Sequence, residues 1–413
     1  MYINNIRIQN FRTFKQTEIE FVHPERDFAA MGLPAPKVPN VNLLLGNNGS
    51  GKTTLLKAIA IAALGPAVTA ASLPIYRLIR RAPNADANAL ASTEAVIGAT
   101  FTAHGQDDPA LPVLESQTTI ARMGDVELPN WSLSDPKPWQ PIYSNASDAF
   151  FFVGYGATRR VETKELVDPG ARQASSLIRA QRIRSLFEEA YSLIPFPVWL
   201  PNLETTNPGR FTQVSHLIDR LLHGTGYTFT GEREDGEYLF LHGGLKVPFP
   251  ALSDGYRAYL GWIGDLLYHV CYTCPVGKKL VENRGIVMVD EIDLHLHPKW
   301  QMTVLPALSR ALPNVQFIVT SHSPLVVGSL EWMNIILMTS GSQQSSSAKR
   351  LELAVHGLDA DQVLLTDFFG LESTRAVGKK RQLKQLSLAA GEGDADAARR
   401  LIEEMSQGSE KVG

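Results

Sequence analysis

Cysteine is almost missing from the 413 residues: only Cys271 and Cys274 occur, too few for a disulfide framework, and a reducing setting is favoured. A surplus of either charge is missing too. Lys and Arg number 39 against 42 Asp and Glu, a net charge of −3, so no global field draws the molecule onto nucleic acid or an anionic membrane. Any such contact must be local. No apolar run is long and clean enough to span a bilayer, which takes about 20 residues: Ala58 to Leu73 is broken by Gly65-Pro66, and Leu325 to Met338 carries Glu331. No contact with a membrane is expected. The start, MYINNIRIQNFRTF, lacks the basic opening and unbroken apolar stretch of a secretory leader, so a cytoplasmic location is expected. Sustained heptads and internal repeats are lacking as well, which excludes long coiled-coil arms and solenoids. What is there is a chain 44% hydrophobic, enough for a large core and two to three structural units.

Apolar periodicity organises the chain as follows. Ile3, Ile6 and Ile8, then Ile19 and Phe21, predict two short half-buried strands. Val41 to Leu45 reads as a strand, followed by a glycine-rich turn and a helix from Thr53 to Leu64 that stops at Gly65-Pro66. Residues 67–150 mix turn signals with β-like pieces such as Ala95 to Thr102, an antiparallel insertion expected to lie against the main sheet. A strand from Phe150 to Val153 ends at Gly154-Tyr155-Gly156. Residues 160–225, including Ile183 to Leu193, have helical spacing and predict a helical lobe. Strands at Ile286 to Val289 and Gln316 to Thr320 bracket a helix around Trp300 to Ala311, with Pro306 as its candidate kink. A serine-rich loop, Ser340 to Ser347, then leads into a helical tail. The resulting division is 1–156, 157–250, 251–340 and 341–413, an α/β architecture.

Two motifs carry chemistry by themselves. Gly46-Asn47-Asn48-Gly49-Ser50-Gly51-Lys52-Thr53 fits the Walker A pattern between a predicted strand and a predicted helix. Its glycines let successive backbone amides curl into an anion nest at a helix N-terminus. Lys52 adds a positive charge for the β- and γ-phosphates of ATP, and the Thr53 hydroxyl is a hard oxygen ligand suited to Mg²⁺. Asn47, Asn48, Gly49, Ser50, Gly51, Lys52, Thr53 and Thr54 form the expected phosphate-binding set. The second motif is GIVMVDE, an apolar strand from Gly285 ending in Asp290 and Glu291. Strand alternation places the two carboxylates on different sides, so that Asp290 can hold Mg²⁺ while Glu291 positions or deprotonates water. A solvated strand end is the plain alternative. Leu252-Ser253-Asp254-Gly255 before an apolar helix is only a serine N-cap when taken alone, and His322 in Thr320-Ser321-His322-Ser323-Pro324 is only a polar residue at a strand end.

Their order decides more than each does: the Walker A pattern, Ser-x-Gly, Asp-Glu and then His, with His322 following Asp290 by 32 residues. This series resembles the head of ABC-type ATPases, a P-loop NTPase fold with a mixed sheet, an antiparallel β insertion and a helical signature lobe. LSDGYRA stands for the signature motif and TSHSP for the switch-histidine loop. The resemblance implies that the chain works as a homodimer or higher oligomer, with Ser253 and Gly255 completing the partner copy's nucleotide site in trans. It further implies catalytic roles for Lys52, Glu291 and His322. IRIQNFRTF and DEIDLHLHPKWQ are similar to the RecF, SMC and OLD-type group and unlike transporter motors. GYGATRR at 154–160 and LTDFFGLEST at 365–374 resemble the stand-alone ATPases of Septu-like phage-defence systems, which implies a separate HNH nuclease as partner.

The sequence also departs from that pattern. No glutamine ends the strand at Phe150 to Val153, where such heads carry the residue linking nucleotide to helical lobe; Tyr155 and Arg159 are the substitutes on offer. His297 stands where many relatives have a D-loop aspartate, as in OLD-like sequences, which places it at the dimer seam. His295 and His297 lack the further ligands of a zinc site, and Cys271-x-x-Cys274 lacks a second half. Arg77, Arg80 and Arg81, and Lys379, Lys380, Arg381 and Lys384, form basic clusters that suit phosphate backbone or a solvated face equally. Asp359-Ala-Asp361 and Asp394-Ala-Asp396 match a nuclease fragment, but both lie at predicted helix starts, and only 66 residues follow Ser347. No nuclease is expected inside this chain. The functional expectation is an ATPase that senses or controls a nucleic-acid-directed effector in phage defence. The alternative is a DNA-repair or chromosome-maintenance ATPase that clamps DNA directly.

Overall fold

Alternating apolar residues at the start of the chain give a hairpin, β1 (Tyr2–Phe11) and β2 (Phe14–Glu20), with Ile6 and Ile19 paired on the buried face. Arg7 and Glu18 pair across the other face at 2.8 Å. The computed structural model describes residues 1–71, 73, 77–81, 92–104, 113–124, 126–132, 139, 151–161, 178–341, 345–374, 377–391 and 393–406, in two compact units, Met1–Leu358 and Asp359–Gly413.

In the first unit, β3 (Val41–Leu45) is buried at every residue, as suits a strand covered on both faces. It feeds α1 (Lys52–Ala70). Gly65-Pro66 does not stop this helix as expected. Pro66 lacks an N–H and its ring crowds the carbonyl four residues back, and the backbone absorbs this as a distortion at Leu64 (φ −125°, ψ 20°). Burial of Gly65 and Val68 beyond the kink keeps the chain helical. By length and hydropathy α1 is the one described helix with the character of a membrane span, and most of it is packed inside the protein. It lies on β4 (Glu94–Thr102), β5 (Val113–Met123) and β6 (Val126–Ser132). These strands continue the N-terminal hairpin in one antiparallel sheet, β2-β1-β4-β5-β6. The insertion therefore meets the main sheet through α1, and one apolar core joins all three layers.

After β7 (Phe151–Tyr155) and the two-residue β8 (Arg160–Val161), the stretch read as helical from Ile183 to Leu193 yields only α2 (Ile178–Gln181), α3 (Arg184–Phe187) and the extended β9 (Ser192–Leu193). The cause is local. Gly156 donates its amide to Ser185 Oγ at 3.2 Å, and α3 lies so close that a Cβ on Gly156 would overlap the Ser185 carbonyl. The chain turns extended at Glu188 (φ −122°, ψ 114°), and Leu193 is buried, paired beside β8. Helices α4 (Phe196–Thr206) and α5 (Pro208–Leu222) follow. Beyond the residues with helical spacing, β10 (Tyr227–Glu234), β11 (Glu237–His242) and β12 (Leu245–Pro248) form an antiparallel sheet. Asp235-Gly236 and Gly243-Gly244 are its two-residue turns, a hairpin signal present in the sequence.

The main sheet is completed by α6 (Asp254–Thr273), β13 (Gly285–Val289), α7 (Pro298–Gln301), α8 (Val304–Ala311), β14 (Val315–Ser321), α9 (Pro324–Gly328), β15 (Ile335–Ser340) and β16 (Ser346–Lys349). Pro306 does not kink a long helix. It sits in the first turn of α8, where its missing N–H costs nothing, and the break falls just upstream at Met302 and Thr303. Part of the expected serine-rich loop is β16, antiparallel to β15. The strand order is β16-β15-β3-β14-β13-β7, parallel except for β16. The loops leaving the C-terminal ends of β3, β7, β13 and β14 carry every Walker-type residue singled out above, which is where an open α/β sheet places its ligands.

In the second unit, α10 (Ala360–Leu364), α11 (Val377–Gly391) and α12 (Ala395–Ser406) are helices as expected. Asp359 caps α10 in a reciprocal box with Gln362. The Asp394 carboxylate accepts from the amides of Asp396 and Ala397, both at 3.0 Å. The two Asp-x-Asp fragments are thus helix starts.

Because α3 presses on Gly156, Gly156→Ala is expected to destabilise the protein by about 1–3 kcal/mol through overpacking. A fall in the denaturant midpoint with an unchanged slope is the expected reading, and an unaltered midpoint would refute the close approach.

Candidate functional site

The loop from Gly46 to Gly51 is shaped to receive an anion. Gly51 takes a left-handed φ of 97° and, as a glycine N-cap, offers no side chain to the first amides of α1, which suits them to a ligand. A Cβ at Gly51 would sit 2.8 Å from Thr13 Oγ1, which keeps the cradle narrow. Asn47, Asn48 and Gly49 form the exposed rim, and Thr54 is buried behind it. Ser50 is 1% exposed, and its buried hydroxyl finds no hydrogen-bond partner among the described residues. Lys52 folds over the loop and donates to the carbonyls of Gly46 at 2.7 Å and Asn47 at 3.1 Å. Burial lowers its ammonium pKa, opposed by the charges of Asp290, Glu291 and Asp293.

The acidic couple faces this loop. Asp290, 4% exposed, accepts from Thr53 Oγ1 at 2.7 Å on one oxygen and from Thr320 Oγ1 at 2.6 Å on the other. The Thr320 hydroxyl in turn accepts the Glu291 amide at 2.7 Å. Strand alternation does not set the directions of the pair, because β13 ends at Val289 and the chain turns, with Glu291 in the left-handed region at φ 50°. The carboxylate of Glu291 engages no described hydrogen bond or ion pair. His322 leaves the end of β14 into the same space. Burial lowers its pKa first and the Lys52 charge second, while Asp293, Glu291 and Asp290 pull the other way. The net lowering keeps its ring neutral at neutral pH.

Lys52, Thr53, Asp290, Glu291 and His322 are therefore brought together. The exposed Thr53 hydroxyl and the Asp290 carboxylate are hard oxygen donors already 2.7 Å apart, a set that suits Mg²⁺. The uncapped amides, the orphaned Ser50 hydroxyl and Lys52 suit the phosphates it would accompany.

Ser253, Gly255 and His297 lie elsewhere in the same chain. They line a groove of about 750 Å³ with Thr225, Tyr256 and Lys299, to which no residue of the Gly46–Thr54 loop contributes. Ser253 is the N-cap residue of α6 by position, yet its exposed hydroxyl makes no capping hydrogen bond. Gly255 lies under the His295 carbonyl: a Cβ there would approach it to 3.0 Å. His297 caps α7 by accepting the Lys299 amide at 3.3 Å.

Sequence reasoning assigns no role to Thr320 and leaves Tyr155 and Arg159 as alternatives. Thr320 bridges both members of the acidic couple, and its only signal was its place at the end of an apolar strand. Tyr155 and Arg159 divide in role. Tyr155 donates to Asp265 of α6 at 2.8 Å, deep in the core, whereas Arg159 donates to the backbone oxygens of Asp290 at 2.6 Å and Glu291 at 2.9 Å. Other candidates fall to structural roles. Arg81 pairs with Glu127 at 2.6 Å, and Arg80 donates to the Thr13 carbonyl at 2.8 Å. Cys271 and Cys274 are buried free thiols, and no cluster of three or more His, Cys, Asp or Glu side chains placed to hold a metal ion occurs among the described residues. The side chains of Lys379, Lys380 and Arg381 lie outside the described residues.

Comparison with known proteins gives the family and the fold. Residues 117–328, just over half of the chain, match the family described as "AAA domain, putative AbiEii toxin, Type IV TA system", and residues 5–89 match a further AAA domain family. The Septu protein PtuA of Bacillus mycoides is 24% identical over 388 residues, which is 90% of this chain and 45% of that protein. The "Retron Ec83 probable ATPase" of Escherichia coli is 40% identical over 92 residues, 22% of this chain and 17% of that one. The chain thus spans less than half the length of these relatives. Among solved structures, an SMC head bound to the C-terminal winged-helix domain of ScpA shares the fold with a TM-score of 0.52 at 16% identity, covering 86% of this chain and 98% of that one.

The electrostatic coupling of Lys52 to His322 has a direct test. Lys52→Ala removes one of the two influences that lower the His322 pKa and leaves the acidic residues, so the histidine should titrate at higher pH in the variant. The ring C–H signals of His322 in an NMR pH series would report this, and an unmoved midpoint would place the two groups out of electrostatic reach.

Proposed function

The chain belongs to the AAA domain family matched over residues 117–328, and on that premise we propose that it binds ATP with Mg²⁺ at the Gly46–Thr54 loop and hydrolyses it between two head-to-tail copies. One observation carries the pairing. The groove at Ser253 offers an uncapped hydroxyl and a long helix's N-terminus, and no residue of the chain's own phosphate loop lines it. A second copy is the natural source of the missing phosphate.

The chain's own residues divide the work. Lys52 exchanges the carbonyls of Gly46 and Asn47 for phosphate oxygens, which are better acceptors because they are charged. Thr53 and Asp290 would hold Mg²⁺, which neutralises phosphate charge when bound. Glu291, with no described partner to release, orients and deprotonates the attacking water. Neutral His322 supplies a hydrogen bond to the terminal phosphate. Ser253 and Gly255 of the second copy stabilise the charge that develops there, and His297 lies at the seam. ATP binds the closed pair better than the separated copies, so hydrolysis releases it.

The resemblance to Septu and retron proteins supports a role in phage defence in which this cycle controls a separate nucleic-acid-directed effector, an HNH-type nuclease in the Septu-like case. Direct DNA clamping is less well supported. Two arginines of its expected contact cluster, Arg80 and Arg81, are committed to the protein's own Thr13 carbonyl and Glu127.

Glu291→Gln is expected to slow turnover by about 10²–10⁴-fold, the usual contribution of a general base, and to trap an ATP-dependent dimer in sedimentation. Lys52→Ala and Ser253→Arg should each be inactive, and their mixture should recover about a quarter of wild-type activity, because a mixed pair holds one intact composite site. A mixture as inactive as its components rules out the site in trans.

A further inference from the structure

The acidic couple owes its shape to a residue of the GYGATRR segment, outside the Walker-type motifs. Arg159 lies in the segment after β7, at a left-handed φ of 31° that a side-chain-bearing residue adopts only at a cost of about 1–3 kcal/mol. What holds it there is its guanidinium. The two terminal nitrogens donate to two successive backbone oxygens, Asp290 at 2.6 Å and Glu291 at 2.9 Å, and the group rests 5.9 Å from the centre of the Trp262 ring on α6. Burial lowers its pKa to about 10, against the charges of Asp290, Asp293 and Glu291, so it stays a cation at neutral pH.

We propose that Arg159 is a positioning residue for hydrolysis: its planar fork fixes the turn at Asp290 and Glu291 and so aims the Glu291 carboxylate at the attacking water. This inference rests on the ATPase reading above. Three observations favour positioning over phosphate binding. The fork is turned onto protein carbonyls, so it is occupied by the turn. Glu291 itself sits at φ 50°, a conformation that needs an external brace. The Glu291 amide is held from the other side by Thr320 at 2.7 Å, so that Arg159 and Thr320 grip the same residue from its carbonyl and its amide. Trp262 and the Tyr155–Asp265 hydrogen bond anchor the bracing segment to α6, the helix that begins beside Ser253. A lysine could keep the charge but cannot present two parallel donors.

The test measures ATP turnover and ATP affinity separately in the full-length protein. For Arg159→Ala, kcat is expected to fall about 10–10²-fold, the scale of a misplaced catalytic group, with the dissociation constant for ATP within about threefold of wild type because the Lys52 loop is untouched. Arg159→Lys should resemble the alanine variant, and added methylguanidinium should restore part of the rate to Arg159→Ala but none to Glu291→Gln. The rescue separates positioning from lost folding, since a misfolded variant gains nothing from the small cation. A lysine or alanine variant with wild-type kcat overturns the proposal, as does an affinity loss that accounts for the whole effect. If Glu291→Gln itself turned over at the wild-type rate, the hydrolysis reading would fail first, whatever Arg159 did.

Discussion

The buried carboxylate of Asp290 is the constraint on which the site depends. Removing a charged group from water costs several kcal/mol unless its lone pairs are satisfied, and here two threonine hydroxyls satisfy them. Thr53 comes from the start of α1 and Thr320 from the end of β14. One charge thereby ties together the loop after β3, the end of β13 and the end of β14, three pieces more than 200 and about 30 residues apart in sequence. The order β3-β14-β13 in the sheet makes this meeting unavoidable: with those strands parallel and adjacent, their C-terminal ends form one row. The sheet sets the row, and Asp290 fixes the distances within it.

That arrangement explains why the groove at Ser253 stands apart. A row of strand ends can gather a glycine-rich loop, two carboxylates and a histidine on one side. The start of α6 lies in a different lobe, built from helices and the small sheet β10 to β12, and opens into a groove of its own. A 20-residue helix whose first turn has no side-chain cap leaves amides unsatisfied. Most helices settle that locally with the N-cap side chain. Ser253 has the right side chain for the task and leaves it undone, so the geometry of α6 suits an anion delivered from outside.

Much of this was legible in the sequence, and the misreadings share a cause. Val41 to Leu45, the glycine loop and the strand ending at Val289 were readable because fully buried parallel strands need unbroken apolar runs. Gly65-Pro66 and Pro306 were misjudged because local breakers were weighed without burial and position: Pro66 sits where the core holds the helix on, and Pro306 falls in a first turn that spares it any cost. The sheet at residues 227–248 lies beyond the stretch with helical spacing, and Asp235-Gly236 and Gly243-Gly244 announce its two tight turns. Ile183 to Leu193 failed for a tertiary reason that no periodicity contains. Two glycines on a neighbouring strand segment let α3 approach so closely that it remains a single turn.

The failure of strand alternation at Glu291 has a different meaning. Alternation assumes an extended backbone, and a residue at φ 50° has left it. Seven non-glycine residues among those described take positive φ: Asn10, Arg12, Arg77, Arg159, Asp235, Glu291 and His295. Asp235 is half of a hairpin turn. Asn10 and Arg12 shape the tip of the β1–β2 hairpin, whose Thr13 hydroxyl closes on Gly51; Arg159 and Glu291 are joined by a hydrogen bond; and His295 lines the groove at Ser253. Each such conformation costs about 1–3 kcal/mol and persists only where its surroundings impose it. A fold that needed only to be stable would spread such costs or avoid them. Here five of the seven border the phosphate loop, the acidic couple or the groove, so the backbone strain marks the same places that the side-chain chemistry does.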